Sequence, residues 1–293
     1  MADVVFVGVT TGSSLAHQAL ACWQPLLGVG CGLRGIDIAV DAHDNAYLDL
    51  LDELQHDNSV IGAVVTTHKL RLFQVGRTRF DRLDPVAVTC EEINAIRRHP
   101  DGSLHGWARD PVSVGRVVDR IWPQHSGTVI CLGAGGTAVA LAHHLFTTRS
   151  ATQFACADPN PDAAARLTRI AGRPVISHTG SGPWDELIST AQPASLIVNA
   201  TGLGKDRPGS PASRQVRFPA SSVVWDLNYR GDLRFLDLAR EQSDEQQPDV
   251  HDGWELFCHG WAAALTVVLG LPDDADLGRR FLDVAHDLRP TRN

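Results

Sequence analysis

The chain has 293 residues, of which 43% are hydrophobic and 20% charged, and it carries a formal net charge of -8. This length predicts about two domains, each able to bury a sizeable core, and the acidic balance excludes a protein that neutralises nucleic-acid phosphates. No apolar run approaches the roughly 20 residues that span a bilayer, no basic leader precedes the first apolar run, and the cysteines lack metal-ligand spacing. We therefore expect a cytoplasmic protein with no membrane partner, no nucleic-acid partner and no metal.

The first part of the chain alternates short apolar, β-branched runs with segments of helical period, which predicts an α/β domain. Strands are expected at Val4–Val9, Gly35–Val40, Ile61–Val65, Pro85–Glu92 and Leu104–Ala108. One helix is expected after the polar Thr10–Ser14 turn, with Leu15, Ala19, Cys22 and Leu26 on one face, and another at Ala46–Leu54.

A second βαβ series begins at Thr128 and predicts a parallel sheet of its own. Its strands are expected at Val129–Leu132, Gln153–Ala157, Ser195–Asn199 and Val223–Leu227, and its helices at Thr137–Phe146 and Pro161–Ala171. The polar stretch Glu241–Pro248 is expected to be exposed or a domain junction, and helices near Trp254–Leu269 and Asp276–Asp287 close the chain. The predicted layout is an N-terminal α/β substrate domain (residues 1–112), completed by C-terminal helices (residues 239–293), and a Rossmann-type dinucleotide-binding domain (residues 113–238).

A glycine-rich turn, Gly133-Ala134-Gly135-Gly136, connects a buried strand directly to a helix. Such a turn lets backbone N–H groups and the positive end of the helix face a pyrophosphate, and glycine permits close approach. Tight strand–helix turns also use glycine for purely structural reasons. Asp158 ends the next predicted strand, 25 residues after Gly133, where an acidic residue binds the ribose 2′-hydroxyl of NAD. The combination predicts a dinucleotide site.

Six ordered motifs and a final helix give the chain a resemblance to the shikimate/quinate dehydrogenase family over nearly its whole length. The family's Val-Thr-x-Pro-x-Lys resembles Val64–Lys69, its Gly-Ala-x-Asn-Thr resembles Glu91–Ala95, and its Gly-x-Asn-Thr-Asp resembles Gly106–Asp110. Its glycine turn resembles Gly133–Gly136, its Asn-Ala-Thr-x-x-Gly resembles Asn199–Gly204, and its Asp-x-x-Tyr resembles Asp226–Tyr229. The helix after Asp252-Gly253 resembles the family's last helix, which contacts substrate and nicotinamide.

The resemblance implies that Lys69 is the catalytic acid/base and that Asp110 is its partner. Carbonyl reduction needs a proton donor at the oxygen, and the reverse reaction needs a base for the hydroxyl. Lys69 is the only lysine among the first 200 residues of a chain that otherwise uses arginine, which does not release its proton. A solvated surface lysine and a capping aspartate are the alternative interpretation of this pair.

The resemblance further implies substrate contacts by Asn94, by Tyr229 and by hydroxyls of the first loop. The family's Ser-x-Ser-Pro is replaced by the adjacent serines Ser13 and Ser14, which are predicted to bind a carboxylate or polyol. An ordinary Ser/Thr turn or helix N-cap is the alternative for these serines.

Two other departures leave the substrate open. The motif at Lys69 lacks its proline, so either Thr66 or Thr67 takes the substrate-facing place. Gly260 stands where the family has glutamine, so His259, Trp254 or a different ring substituent is expected to compensate.

For the cofactor, the resemblance implies contacts by Gly133, Ala134, Gly135, Gly136, Asp158, Asn199, Thr201, Leu227 and Gly253. NADP-using relatives carry Asn-Arg-Thr after the second strand, and the matching stretch here is Asp158-Pro159-Asn160. Proline offers no cation to a 2′-phosphate, and the carboxylate of Asp158 repels one. NAD is therefore expected to be preferred over NADP, with Arg166, about two helical turns further on, as the alternative contact to a phosphate.

The sequence thus predicts an oxidoreductase similar to shikimate dehydrogenase, acting as a monomer or homodimer. It is expected to move a hydride between NAD(H) and a ring hydroxyl or ketone of shikimate, quinate or a modified, for example amino, analogue. The alternative is a catalytically idle module on the same fold that senses NAD or a metabolite. Retention of both Lys69 and Asp110 argues against a sensor, because sensing needs no proton-transfer pair.

Overall fold

The structure, a computed structural model, describes residues 2–124, 127–148, 153–205, 207–242 and 247–290. The chain divides into two compact units. The first contains Met1–Ser113 and Cys258–Arg289, and the second contains Val114–Phe257. Each unit is built on its own sheet, so the mixed α/β fold expected from the sequence is confirmed.

The sheet of the first unit has six described strands. They are β1 (Asp3–Gly8), β2 (Gly32–Asp37), β3 (Val60–Val65), β4 (Arg82–Leu83), β5 (Ala95–Arg98) and β6 (Leu104–Trp107). Their order is β2-β1-β3-β5-β6-β4, with β1 parallel to β2 and β3, and β5 antiparallel to β3 and β6. The strands β1 and β3 are buried along most of their length, which explains their unbroken apolar sequences, because strands covered on both faces lack alternation.

Four helices lie in the first unit before the chain leaves it: α1 (Ala16–Leu27), α2 (Asp44–His56), α3 (Lys69–Gly76) and α4 (Pro85–Cys90). The helix α4 corrects the expected strand at Pro85–Glu92. Its valines favoured a strand, but the carboxylate of Asp84 accepts a hydrogen bond of 3.2 Å from the Val86 N–H, and Pro85 occupies the first helical turn. A capped start with proline at the first position stabilises the helix despite the β-branched residues.

The sheet of the second unit also has six described strands, and all its neighbouring pairs are parallel. They are β7 (Thr128–Leu132), β8 (Gln153–Ala157), β9 (Ile176–His178), β10 (Leu196–Asn199), β11 (Val223–Asp226) and β12 (Asp249–His251). The spatial order is β12-β11-β10-β7-β8-β9. This is the strand order of a Rossmann fold, in which ligands bind at the carboxyl ends of the strands where the order reverses, here between β7 and β10.

The helices of the second unit are α6 (Gly136–Thr148), α7 (Pro161–Ala171), α8 (Asp185–Ser189) and α9 (Arg234–Arg240). The chain passes from the first unit to the second within α5 (Asp110–Ile121) and returns within α10 (Trp254–Leu269), which precedes α11 (Leu277–Val284). Packing explains the return of the final helices. The Trp23 ring of α1 stacks on Phe281 of α11 at 4.5 Å, and its indole N–H donates a hydrogen bond of 3.1 Å to the Phe281 carbonyl.

From the sequence, the segment that returns to the first domain is expected to start at residue 239, whereas in the structure the second unit reaches Phe257. The reason is β12, which pairs with β11 and completes the second sheet. Within the expected exposed segment Glu241–Pro248, residues 243–246 lie outside the described residues.

Among the helices that the structure describes, none has the length and apolarity to cross a membrane. In the described part of the chain, no group of three or more His, Cys, Asp or Glu side chains could hold a metal ion.

Candidate active site

A buried histidine anchors the loop between β3 and α3. The Nε2 atom of His68 donates a hydrogen bond to the Ile38 carbonyl at 2.9 Å, since a carbonyl only accepts, and Nδ1 then accepts one from the Tyr47 hydroxyl at 2.9 Å. Burial lowers the pKa of His68, which keeps the ring neutral in this arrangement. The next residue, Lys69, therefore begins α3 from a fixed position.

The structure joins three of the predicted site residues, Lys69, Asp110 and Asn94, in one hydrogen-bonded network of the first unit. The ammonium of Lys69 donates to one carboxylate oxygen of Asp110, and the amide of Asn94 donates to the other. The Asn94 carbonyl oxygen accepts a hydrogen bond of 2.7 Å from the Arg109 N–H, which sets the orientation of the amide. The side chains of Lys69 and Asp110 are only 13% and 15% exposed, so neither is the solvated surface group of the alternative interpretation.

The charge balance of this network keeps Lys69 protonated. Burial by itself lowers the pKa of Lys69, but the carboxyl groups of Asp110 and Glu92 act against burial and raise the pKa above its ordinary value. Glu92 is a residue to which the sequence analysis gave no role. It is completely buried, and the only hint in the sequence is a second acidic residue where the family motif has alanine.

The hydroxyls of the first loop make local hydrogen bonds. The Ser13 hydroxyl is exposed and donates to the Thr10 carbonyl at 3.1 Å, and the Ser14 hydroxyl accepts from the Ala16 N–H at 3.2 Å at the start of α1. The Thr66 hydroxyl donates to the Val7 carbonyl at 3.1 Å, whereas Thr67 is exposed. Each of these oxygens retains lone-pair capacity for a ligand.

The remaining predicted substrate residues belong to different units. Tyr229 lies in the second unit and packs its ring against Trp254 and Phe257, with centroid separations of 5.4 and 4.8 Å. His259 is buried in the first unit, where a Cβ added to Gly278 would meet its Nδ1 atom at 2.1 Å. A Cβ added to Gly260 would meet no atom within 4 Å, so open space lies where the family places a glutamine.

The glycine turn of the second unit is shaped for a ligand as well as for folding. Gly133 has a positive φ of 104°, and a Cβ there would meet the Ala200 carbonyl oxygen at 2.7 Å, so the fold itself requires this glycine. Gly135 is different, because a Cβ on it would enter open space with no atom within 4 Å. A side chain at Gly135 would fill the space in front of the α6 N-terminus, which begins at Gly136, so the residues present fit a pyrophosphate.

Four predicted cofactor residues lie at or after the carboxyl ends of β10, β11 and β12. The Asn199 carbonyl group of the side chain accepts hydrogen bonds from the Thr201 N–H and hydroxyl, at 3.1 and 2.7 Å. The Leu227 N–H donates to the Asn199 backbone carbonyl at 3.1 Å. A Cβ on Gly253 would meet the Leu227 carbonyl oxygen at 2.0 Å, so only glycine fits there. Asn199 ends β10, Leu227 follows β11 and Gly253 comes after β12. They lie at the carboxyl ends of the strands, where a Rossmann fold binds its ligand.

The carboxylate of Asp158 is used within the turn. One oxygen accepts a hydrogen bond of 2.8 Å from the Ala134 N–H and the other accepts one of 2.8 Å from the Asn160 N–H. The guanidinium of Arg166 donates to the Ala134 carbonyl at 2.8 Å, which places a cation at the same turn.

Known proteins with similar sequences are shikimate dehydrogenases. No protein-family model matches the chain. A shikimate dehydrogenase (NADP(+)) of Paramagnetospirillum magneticum is 29% identical over 199 residues, which cover 64% of this chain and 69% of that protein. Another, from Synechococcus, is 25% identical over 250 residues, covering 82% and 72%.

Solved structures agree with this fold over almost the full length. Shikimate 5-dehydrogenase of Thermus thermophilus in complex with shikimate has a TM-score of 0.75 at 21% identity, covering 98% of this chain and 99% of that one. Quinate dehydrogenase of Corynebacterium glutamicum in complex with NAD has a TM-score of 0.73 at 20% identity, covering 97% and 100%. At such identities the likeness establishes the fold alone.

The fold defines the class of this protein as a two-unit α/β protein whose second sheet has the Rossmann strand order, and its similarity to shikimate dehydrogenases supports an oxidoreductase. Within that class, the chain is similar to shikimate and quinate dehydrogenases, as the sequence resemblance indicated.

The expected preference for NAD over NADP is wrong. The curated relatives are named for NADP(+), including those from Paramagnetospirillum magneticum, Lactococcus lactis, Pyrococcus abyssi and Synechococcus. From the sequence, the carboxylate of Asp158 is expected to face the ribose. In the structure both of its oxygens bind backbone amides of the turn, and Arg166 supplies a cation there that Pro159 does not.

Proposed function

We propose that this protein interconverts a ring hydroxyl and a ring ketone on a small cyclic polyol or hydroxy acid, with Lys69 as acid/base and Asp110 as its partner. The observation that carries this proposal is the buried network of Lys69, Asp110 and Asn94. Burying a lysine beside a carboxylate is costly, and such a pair suits proton transfer to a carbonyl oxygen.

In ketone reduction, the ammonium of Lys69 donates a proton to the carbonyl oxygen. In alcohol oxidation, the neutral amine accepts the hydroxyl proton, and Asp110 stabilises the ammonium that forms. A bound nicotinamide dinucleotide supplies or accepts the hydride. Because the pKa of Lys69 is raised, the proton-donating form prevails at neutral pH, which favours ketone reduction.

The nucleotide is proposed to bind at Gly133, Ala134, Gly135 and Gly136, beside Asn199, Thr201, Leu227 and Gly253. Following the names of the curated relatives, we propose NADP(H), with Arg166 as the contact to the 2′-phosphate. Arg166→Gln is then expected to lower kcat/KM for NADPH on the order of tenfold and to leave that for NADH unchanged, with Arg173→Gln as the control. Equal losses with both nucleotides would remove Arg166 from this role.

The substrate is proposed to be a shikimate- or quinate-like ring that carries a different substituent, such as an amino group. Ser13, Ser14 and Thr66 are proposed to bind its polar groups together with Asn94, and Tyr229 and His259 to contact the ring. The open space at Gly260, where the family has glutamine, supports a changed substituent.

The test is an absorbance assay at the reduced-nicotinamide band with shikimate, quinate, aminoshikimate and their ketones. We expect turnover of at least one ring substrate, and Lys69→Ala is expected to lower kcat by a factor on the order of 10²–10⁴ with unchanged nucleotide affinity. Tight nucleotide binding without turnover of any of these substrates would favour the idle, sensing alternative. Near-normal turnover by Lys69→Ala would remove Lys69 from the mechanism.

A further inference from the structure

A second carboxyl group enters the interior directly beside the proposed acid/base. The helix α4 ends at Cys90, and Glu91 takes a left-handed conformation with φ of 52°, which turns the chain inward. The Glu92 N–H then donates to the Ala87 carbonyl at 3.2 Å, and the Ile93 N–H donates to the Lys69 carbonyl at 3.1 Å. This backbone connection holds Glu92 next to the start of α3.

Glu92 is buried in an unusual way. Its exposure is 0%, and neither carboxylate oxygen has a hydrogen-bond partner among the described residues. A buried carboxylate without hydrogen bonds is strongly disfavoured, so burial of this kind stabilises the neutral acid.

The groups around Glu92 decide which carboxyl group keeps a proton. Glu92 interacts electrostatically with Lys69 of α3, with Asp110 of α5 and with the Cys90 thiol at the end of α4. One cation therefore serves two carboxyl groups. Asp110 receives the hydrogen bonds of both Lys69 and Asn94, whereas Glu92 receives none from the described residues, so Glu92 is the carboxyl group that holds a proton.

We propose that Glu92 is a positioning residue for the Lys69–Asp110 pair: it is protonated at neutral pH, and its ionisation at higher pH holds Lys69 in the ammonium form. This inference rests on the proposed function of Lys69 as acid/base. As a consequence, the dependence of the rate on pH differs between ketone reduction and alcohol oxidation. Ionised Glu92 sustains ketone reduction to higher pH, because reduction uses the ammonium, and it delays the rise of alcohol oxidation, which uses the amine.

The electrostatics agree with this geometry. Burial first, and the charge of Asp110 second, raise the pKa of Glu92 to about 8, while Lys69 acts in the opposite direction. The charge of Glu92 in turn raises the pKa of Lys69 and of the Cys90 thiol. The alanine of the family motif at this position cannot ionise, so this pH-dependent effect on Lys69 is a feature of this chain and not of the motif.

The chain offers a direct readout, because Lys69 and Lys205 are its only two lysines. In protein labelled with ¹³C-lysine, the side-chain signal of Lys69 is expected to shift as Glu92 ionises around pH 8, while that of the exposed Lys205 stays still. In Glu92→Gln this step is expected to disappear, and Glu92→Asp is expected to keep it. A Lys69 signal that shows no step in the wild type, or keeps it in Glu92→Gln, would overturn the proposal. If Glu92→Gln does not fold, Glu92→Ala takes its place.

The kinetic test uses the same variants. Removing one neighbouring negative charge increases the neutral fraction of Lys69 about tenfold at a given alkaline pH. The oxidation limb of the pH–rate profile is therefore expected to begin at a lower pH in Glu92→Gln than in the wild type. Above pH 8, kcat/KM for oxidation, expressed relative to its plateau, is expected to be about tenfold higher in the variant. The rate of ketone reduction is expected to start declining at a lower pH than in the wild type. Glu53→Gln, a change of the same kind on a partly exposed surface pair, is the control and should leave both profiles unchanged.

The two proposals fail separately. If no ring substrate is turned over, the proposed function fails, but the lysine signal still reports whether Glu92 controls Lys69. If turnover occurs and the wild-type and Glu92→Gln profiles coincide, the proposed function stands and Glu92 has no positioning role.

Discussion

Replacing Glu92 by glutamine is expected to change how the stability of the protein depends on pH, which requires no substrate to measure. Burial and the charge of Asp110 raise the pKa of Glu92 in the folded protein to about 8, from an ordinary value of 4.5. The unfolded chain therefore releases this proton near pH 4.5, whereas the folded protein retains it up to about pH 8. Between these values the folded state binds more protons, so the free energy of unfolding falls as pH rises.

The size of the effect follows from the width of this window. Each pH unit lowers the free energy of unfolding by about 1.4 kcal/mol, so the window from 4.5 to about 8 corresponds to about 5 kcal/mol. This is a large part of the roughly 5–15 kcal/mol that stabilises an ordinary domain. Lys69 does not interfere, because its pKa is raised above 10.5, and the stability it contributes is lost only at higher pH.

Urea unfolding measures this effect. The free energy of unfolding of wild type and Glu92→Gln is compared at about pH 5, 7 and 9, which cover the window. Glutamine has nearly the same shape but does not ionise. The free energy of unfolding of the variant minus that of the wild type is therefore expected to increase by several kcal/mol from the lowest to the highest pH. Glu53→Gln, at a partly exposed pair with Arg34, should show a constant difference. A constant difference for Glu92→Gln as well would refute a buried, proton-holding Glu92.

Other substitutions test the remaining parts of the site. Asp110→Asn is expected to lower kcat by a factor on the order of 10² or more, because Lys69 loses its ionic partner, and steady-state kinetics against wild type measure it; unchanged kcat would contradict the pairing. Gly135→Ala is expected to weaken nucleotide binding in calorimetry without lowering the melting temperature, since its Cβ enters open space, whereas Gly133→Ala is expected to destabilise the fold through the clash with the Ala200 carbonyl. Gly260→Gln is expected to raise kcat/KM for shikimate about ten- to a hundredfold by supplying a hydroxyl partner; no gain would show that another residue has taken over this contact.

Local patterns predicted the central strands of the second unit and much of the first. A continuous apolar run followed by glycines and a helical period predicted β7, the turn at Gly133 and α6, because strand, turn and helix are contiguous in the chain. The helix at Pro85–Cys90 was missed because its valines and threonine favour a strand, while its cap at Asp84 is a single side-chain contact. The short β9 and β12 were missed because edge strands of three residues carry little pattern.

The sequence by itself determined the α/β class, the glycine turn and the residue types of the proposed acid/base pair, since each depends on local periodicity or on a motif. Only the tertiary structure decided what surrounds those residues. Lys69 and Asp110 are 41 residues apart in the chain, and Asp158 looked like a ribose ligand until its two oxygens were found on backbone amides. For Glu92 the sequence gave only an acidic residue where the family motif has alanine, because burial and the lack of hydrogen-bond partners among the described residues arise only when distant segments pack together. The charge state of the site depends on that packing, and no local pattern encodes it.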